Sequence, residues 1–254
     1  MNKIPEIFER REAYCKGKLA TLREKVSKID NLSNMPDLCI YVTGSYGRSE
    51  ASEFSDLDLF FIKNSSYDHP IRRTDKILMD ADLIRITRDM KLPEFSGYGE
   101  YLEIHYICSI LKELGSRSDD YDNLFTARLL LILESQPVYN DETYKKIVSS
   151  IVGTYFRDYH DHEKSFMPIF LVNDIIRFWK TLCLNYEHKR NRSSDVPLKK
   201  NDAHLRNLKL KFSRMLTCYS LIATLCHPGI GKAQGDIESL GHLEQWQFSA
   251  DIVF

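Results

Sequence analysis

Hydrophobic residues in the N-terminal half of the chain follow both helical and strand-like patterns. Residues 6–29 carry apolar side chains every three or four positions, which predicts an amphipathic helix. Short β-rich runs at 38–43, 55–62 and 101–107 predict three strands. A helical pattern over 71–90 separates the second strand from the third. This half is therefore predicted to be mixed α/β.

The pattern changes after about residue 108, where the remaining periodic segments are all typical of helices. They cover 122–135, 141–164, 168–190 and 203–226. We therefore predict an α+β protein in which a small mixed sheet is followed by an all-α helical bundle. The predicted segments are an N-terminal helix at 1–37, a mixed core at 38–115 and a helical domain at 116–254.

Composition and charge exclude several classes of protein. The 254 residues are 43% hydrophobic, which is too apolar for a disordered chain. The formal net charge of −1 argues against general coating of a polyanion. The longest aliphatic run, from Leu129 to Leu133, is far shorter than the roughly 20 residues that span a membrane. The N-terminus has no apolar signal region and the six cysteines form no C-x-x-C pair, so we expect a cytoplasmic protein.

The stretch GSYGRSEASEFSDLDLFFI, residues 44–62, carries the chemistry. Gly44 allows the backbone to approach a ligand closely, and the turn that follows presents N–H groups to an anion. Ser45 adds a hydroxyl. Arg48, three residues later, either reaches a phosphate group or pairs with Glu50 or Glu53; its spacing slightly favours the pairing. The sequence therefore predicts a phosphate-binding turn.

Two aspartates follow this turn within the predicted second strand. Asp56 and Asp58 are two positions apart, which places both carboxylates on one face of a strand. Adjacent ionised carboxylates need a cation between them, and hard oxygen ligands favour Mg²⁺ or Mn²⁺. A phosphate-binding turn beside such a metal site is suited to phosphoryl or nucleotidyl transfer.

These residues resemble a known signature. Gly44-Ser45, Arg48 and Asp56-Leu57-Asp58 look like the motif of the polymerase β-type nucleotidyltransferase superfamily. The fuller string is similar to the motif of bacterial PII-protein uridylyltransferases and glutamine synthetase adenylyltransferases. The resemblance implies a small mixed sheet with helices on one side, an NTP donor and two divalent metal ions. It makes 38–115 the catalytic core and 116–254 the domain that binds substrate and nucleotide.

The superfamily usually has a third carboxylate on a later strand, which helps to hold the metal and can accept a proton from the attacking hydroxyl. Glu103 is the first candidate for this role. Glu100 is the second, and Asp80 and Asp82 are weaker alternatives on the preceding helix. A chain without a third acid near the metals would bind nucleotide without transferring it.

The resemblance also implies that the helical domain supplies side chains for the β- and γ-phosphates. Lys209 and Ser213 are four positions apart on a predicted helix and are the first candidates. Arg177 and Lys180, on the preceding helix, are further candidates. A solvated face or an ion pair between helices is the alternative interpretation of these residues.

The predicted function is metal-dependent transfer of a nucleoside monophosphate from an NTP to a hydroxyl acceptor, most simply of AMP from ATP. Asp56, Asp58 and Glu103 would hold two Mg²⁺ or Mn²⁺ ions. The acceptor would be a protein or an RNA, and the enzyme could be a toxin or defence protein with a cognate antitoxin or regulatory domain. No membrane partner is expected. Two alternatives stay open: a catalytically silent nucleotide-binding regulatory module, and a nucleic-acid-binding protein that uses the basic residues at 187–192.

Overall fold

The computed structural model describes residues 4–66, 70–95, 99, 102–161, 166–191 and 197–226. The chain divides into two compact units. The first comprises the described residues up to Ile151, and the second comprises those from Val152 onwards. The domain bounds predicted from the sequence differ from this division and stay predictions.

The first unit contains a four-stranded mixed sheet in the order β3-β2-β1-β4. Its strands are β1 (Leu38–Val42), β2 (Leu59–Lys63), β3 (Ile104–Tyr106) and β4 (Gln136–Tyr139). β1 is antiparallel to both β2 and β4, whereas β2 and β3 are parallel. The register places Ile40 opposite Phe61, and Phe61 opposite Ile104.

Besides a short 3-10 helix at Asp30–Asn34, seven α-helices accompany this sheet among the described residues. They are α1 (Ile4–Val26), α2 (Gly44–Gly47), α3 (Arg73–Asp89), α4 (Ile107–Lys112), α5 (Arg117–Tyr121), α6 (Leu124–Glu134) and α7 (Asp141–Tyr155), which continues into the second unit. The second unit then contains α8 (Ile169–Asn191), α9 (Pro197–Leu208), a π-helical turn (Lys209–Arg214) and α10 (Met215–Leu225). None of the described helices combines the length and apolar composition that crossing a bilayer requires.

The main core lies between one face of the sheet and helices α1 and α3. Alternate residues of β1 and β2 point to this face, because strand side chains alternate between faces. The buried residues of the core include Cys15, Leu19, Leu22, Val26, Leu38, Ile40, Val42, Leu59, Phe61, Met79 and Leu83. The amphipathic pattern of α1 therefore packs the predicted N-terminal helix directly onto the sheet.

The opposite face of the sheet carries a row of rings and is covered by helices from later in the chain. Tyr41 is fully buried, stacks on Phe60 at 5.7 Å and donates a hydrogen bond to the Ala127 carbonyl of α6 at 3.4 Å. Tyr144 of α7 also contacts Tyr41, with ring centroids 6.3 Å apart. Helices α6 and α7 thus pack across this second face.

The predicted elements are present, but several of them have different bounds. The helix predicted over 141–164 ends at Tyr155, and the third strand, predicted over 101–107, is confined to Ile104–Tyr106. The second strand begins at Leu59 rather than at residue 55, because Ser52 and Ser55 close a local turn: Ser55 N donates to the Ser52 carbonyl at 3.0 Å. A short helix, α2, begins at Gly44, where the sequence predicted a turn. The last predicted helix is interrupted by the π-helical turn.

β4 was not predicted from the sequence. It lies in the part of the chain where only helices were expected, and its four residues are too few to show a period. Its Pro137 is tolerated because β4 is at the edge of the sheet, where a missing N–H breaks no ladder bond to a further strand.

Candidate active site

The predicted phosphate-binding turn lies between β1 and the loop that leads into β2. Gly44 begins α2 with a positive φ of 65°, a conformation that glycine adopts easily. The Thr43 N–H donates to the Asp58 carbonyl at 2.9 Å, which holds the turn against the residues before β2. In the described part of the chain, neither the N–H groups of Gly44 and Ser45 nor the Ser45 hydroxyl has a hydrogen-bonding partner. These donors are therefore available to a ligand.

Asp58 lies directly against this turn. A Cβ atom added to Gly44 would stand 2.6 Å from the Asp58 Oδ2, which is closer than real contacts allow. An added methyl group would therefore push the Asp58 carboxylate out of its place beside the start of α2. This contact brings together two of the residues that the sequence predicted to act together.

Asp56 lies on the side of the same turn that carries Tyr46. Burial raises the pKa of the Tyr46 hydroxyl well above its usual value, and the neighbouring Tyr14 and the charge of Asp56 raise it further. Asp56 is half-buried, like Asp58, and both precede β2 instead of lying within it. Asp58 therefore lies against the start of α2, and Asp56 lies near enough to Tyr46 of α2 for its charge to act on the Tyr46 hydroxyl.

Glu103, the predicted third acid, lies one residue before β3 and is exposed. The register of β2 and β3 begins with the pair of Phe61 and Ile104, so Glu103 lies directly before the paired residues. Its charge raises the pKa of Asp80 on α3, although burial is the larger cause and Lys76 opposes both. Glu103 is therefore close to Asp80.

The alternative third acids have other surroundings. Asp80 accepts a hydrogen bond from Lys76 at 2.7 Å, and Asp82 pairs with Arg85 at 2.6 Å. Glu100 lies outside the described residues. His105 stacks on Phe60 at 6.5 Å; burial lowers its pKa, and the charges of Glu103 and Asp122 oppose this effect.

Within the described ranges, no three His, Cys, Asp or Glu side chains group closely enough to hold a metal ion by themselves. The structure thus does not gather Asp56, Asp58 and Glu103 into a closed ligand set. Mg²⁺ in nucleotide sites is commonly held by one or two carboxylates together with substrate phosphates and water. Asp56 and Asp58 beside free N–H donors fit that kind of open site.

Arg48 is held in a buried ion pair rather than exposed to the site. Its Nε donates to Glu50 at 3.0 Å, and its Nη1 donates to Glu134 at the end of α6. Burial alone would lower the Arg48 pKa, and the two carboxylates outweigh this and raise it. The pairing with Glu50 was one of the two alternatives open from the sequence; a role for Arg48 in nucleotide binding stays a prediction.

Residues from the end of α6 and the start of β4 support the turn from behind, and sequence reasoning missed them. A Cβ atom on Gly47 would stand 1.9 Å from the Glu134 carbonyl oxygen, so α2 packs on the α6 backbone. The Gln136 side chain donates to the carbonyls of Tyr46 and Gly47 at 3.3 and 3.1 Å. We call Arg48, Glu134 and Gln136 the turn clamp. The one signal in the sequence is Glu134 itself, an acid that closes an apolar run.

The four candidates from the helical half lie in the second unit. Arg177 and Asp174 of α8 are 3.8 Å apart, and Asp174 also accepts a hydrogen bond from Tyr155 at 2.6 Å. Lys180 and Lys209 are exposed, whereas Ser213 is half-buried. Lys209 and Ser213 both lie in the π-helical turn. Their role at a phosphate stays a prediction.

Residues 19–124 match the sequence profile of the nucleotidyltransferase domain family. This match covers the Gly44 turn, both aspartates and Glu103. The chain therefore carries a nucleotidyltransferase domain of the polymerase β-like superfamily, as its motif predicted. A comparison with curated proteins returns no match. The closer similarity to uridylyltransferases and adenylyltransferases stays a prediction.

The contact between Gly44 and Asp58 makes a first prediction. In Gly44→Ala the added methyl would displace the carboxylate, so we expect the rate of nucleotidyl transfer to fall by about a hundredfold. The methyl would also strain a backbone with positive φ, so the free energy of unfolding should fall by about 1 kcal/mol. The control is Gly17→Ala in α1, where nothing lies within 4 Å of the added Cβ. This control should keep its activity and gain up to about 1 kcal/mol. Equal activity of the two variants would contradict the role of the contact.

The turn clamp makes a second prediction. Lysine cannot bridge two carboxylates as a guanidinium does, so Arg48→Lys should lose about 1–3 kcal/mol in the free energy of unfolding, measured in urea. Arg85→Lys changes an exposed pair and should lose less than about 1 kcal/mol. The contrary result is that Arg48→Lys unfolds with the same free energy as the wild type but has a raised KM for the nucleotide. That result would show that Arg48 contacts phosphate instead.

Proposed function

We propose that this protein transfers a nucleoside monophosphate from an NTP, with ATP as the simplest donor, to a hydroxyl group of a protein or an RNA. The observation that carries the proposal is the Asp58 carboxylate beside the turn of Gly44 and Ser45, with Asp56 bordering the same turn. The matched nucleotidyltransferase domain supports the class of reaction. The donor base, the acceptor and a role as a toxin or defence enzyme belong to the proposal.

The free donors of the turn would bind the phosphates. The N–H groups of Gly44 and Ser45 and the Ser45 hydroxyl would donate to phosphate oxygens, which orients the α-phosphate. Asp56 and Asp58 would hold the divalent ions, Mg²⁺ or Mn²⁺. When bound, these ions supply charge that offsets the negative triphosphate and stabilises the leaving pyrophosphate.

The chemical step is an in-line displacement at the α-phosphorus. The acceptor oxygen forms a bond to this phosphorus as the bond between the α-phosphorus and the oxygen bridging to the β-phosphate breaks. The hydroxyl proton passes to a carboxylate, for which Glu103 is the candidate, and pyrophosphate leaves. Lys209, Ser213, Arg177 and Lys180 are proposed contacts of the β- and γ-phosphates.

Labelled nucleotides test the proposal directly. The chain is incubated with Mg²⁺ and each NTP in turn, labelled at the α-phosphate, in a cell lysate. Compared with the lysate alone, the added chain should increase the label in a macromolecule from the α-labelled donor but not from γ-labelled ATP, because pyrophosphate leaves. Asp58→Asn should lower labelling by about a thousandfold or more. Glu53→Gln, at an exposed position of the same loop, should label as the wild type does.

Labelling that survives Asp58→Asn would contradict the proposed site. Binding of ATP without label from any donor would instead favour the silent regulatory module. Transfer of the γ-label would identify a kinase and exclude nucleotidyl transfer.

The third carboxylate has a separate test. Glu103→Ala should abolish Mg²⁺-dependent transfer and leave the thermal unfolding temperature nearly unchanged, because the side chain is exposed. Asp89→Ala, which removes an exposed carboxylate at the end of α3, is the matched control and should stay active. If Glu103→Ala transfers at the wild-type rate, the third acid is elsewhere, and Glu100→Ala is the next variant to measure.

A further inference from the structure

The outward side of α9, the π-helical turn and α10 is apolar. Leu205, Leu208 and Phe212 are 51%, 54% and 62% exposed, and Met215 and Tyr219 are also exposed. The half-buried positions of the same stretch include polar residues, among them Asn207, Ser213 and Thr217. The buried positions of α10, Cys218, Leu221 and Leu225, are apolar as well. An apolar exposed side is therefore additional to the buried one, whereas the exposed side of a surface helix is normally polar. The apolar side is therefore placed to contact something else.

The spacing of these exposed residues fits a helical partner. Leu205, Leu208, Phe212, Met215 and Tyr219 follow each other at intervals of three, four, three and four residues, which is the spacing of a coiled-coil seam. We call these five residues the apolar stripe. It extends over α9, the π-helical turn and α10. A partner helix of about three heptads would cover it.

The rim of the apolar stripe is basic. Arg206, Lys209 and Lys211 are exposed, and no acidic side chain in the described part of the chain pairs with any of them. Residues 203–226 contain Arg206, Lys209, Lys211 and Arg214 but no Asp or Glu. In coiled coils, charges that flank the seam select the partner, and opposite signs attract.

We infer that the apolar stripe docks an amphipathic helix of another protein whose own apolar seam is flanked by Asp and Glu. A second copy of this chain would bring the same basic rim against itself, and like charges disfavour that pairing. A membrane surface also attracts basic amphipathic helices, but an interfacial helix lies on the bilayer with its main apolar side, whereas the buried apolar side of α10 packs on α8. An acidic helix satisfies both the seam and the rim.

Two designed peptides test this inference. Each has about three heptads with Leu at the seam positions; one has Glu at all flanking positions, and the other has Lys there. Fluorescence anisotropy with the full chain should show that the acidic peptide binds at least about tenfold more tightly than the basic one. The affinity for the acidic peptide should weaken as salt is added, because the rim is exposed.

Matched variants locate the binding surface. Leu208→Asp should abolish binding of the acidic peptide, whereas Leu78→Asp, at a similarly exposed leucine of α3, should not change it. The double variant Arg206→Glu and Lys211→Glu should reverse the preference and favour the basic peptide. Circular dichroism and thermal unfolding should show that each variant stays folded, since the changed side chains are exposed.

Each contrary outcome overturns the inference. Equal binding of the two peptides would exclude charge selection, and no binding of the acidic peptide would exclude a helical partner of this chemistry. A dimer in sedimentation that Leu208→Asp dissociates would identify a second copy as the occupant. Cosedimentation with vesicles of anionic lipid, lost in Leu208→Asp, would identify a membrane surface.

Discussion

The close approach of the Asp58 carboxylate to the α-carbon of Gly44 is the constraint on which the candidate site depends. A side chain at the start of α2 would push this carboxylate away, and the positive φ of Gly44 also favours glycine there. The hydrogen bond from the Thr43 N–H to the Asp58 carbonyl holds the two segments together. The result is a carboxylate beside unpaired N–H donors. Phosphate and a divalent cation can be bound together at such a place, since the donors attract the anion and the carboxylate attracts the cation.

The turn that carries this constraint is supported by residues far along the chain. Glu134 and Gln136 reach it because β4 pairs with β1 and thereby places the end of α6 behind α2. Arg48 is neutralised within the same clamp, so the basic residue nearest to the motif is engaged in holding the turn. Both antiparallel neighbours of β1 therefore position the site. β2 directly follows the two aspartates, and β4 begins at Gln136 of the turn clamp.

Local patterns allowed most of the fold and the centre of the site to be predicted. The helix period of α1, the apolar runs of β1 and β2 and the spacing of Gly44, Asp56 and Asp58 are all short-range features. β4 was missed because its four residues, one of them Pro137, are defined by pairing with β1 rather than by their own pattern. Gln136 and Glu134 were missed for the same reason: their partners lie almost 90 residues away. The exposed side of α9 and α10 could not be predicted either, because a helical period does not reveal which side a neighbouring helix covers.

The central claim is tested most directly by a crystal structure of the chain with Mg²⁺ and a non-transferable ATP analogue. In this analogue a methylene group stands between the α- and β-phosphates. We predict metal density in contact with the carboxylates of Asp56 and Asp58, and triphosphate oxygens within hydrogen-bonding distance of the N–H groups of Gly44 and Ser45. A nucleotide bound away from this turn, or a metal ion that contacts neither aspartate, would contradict the account.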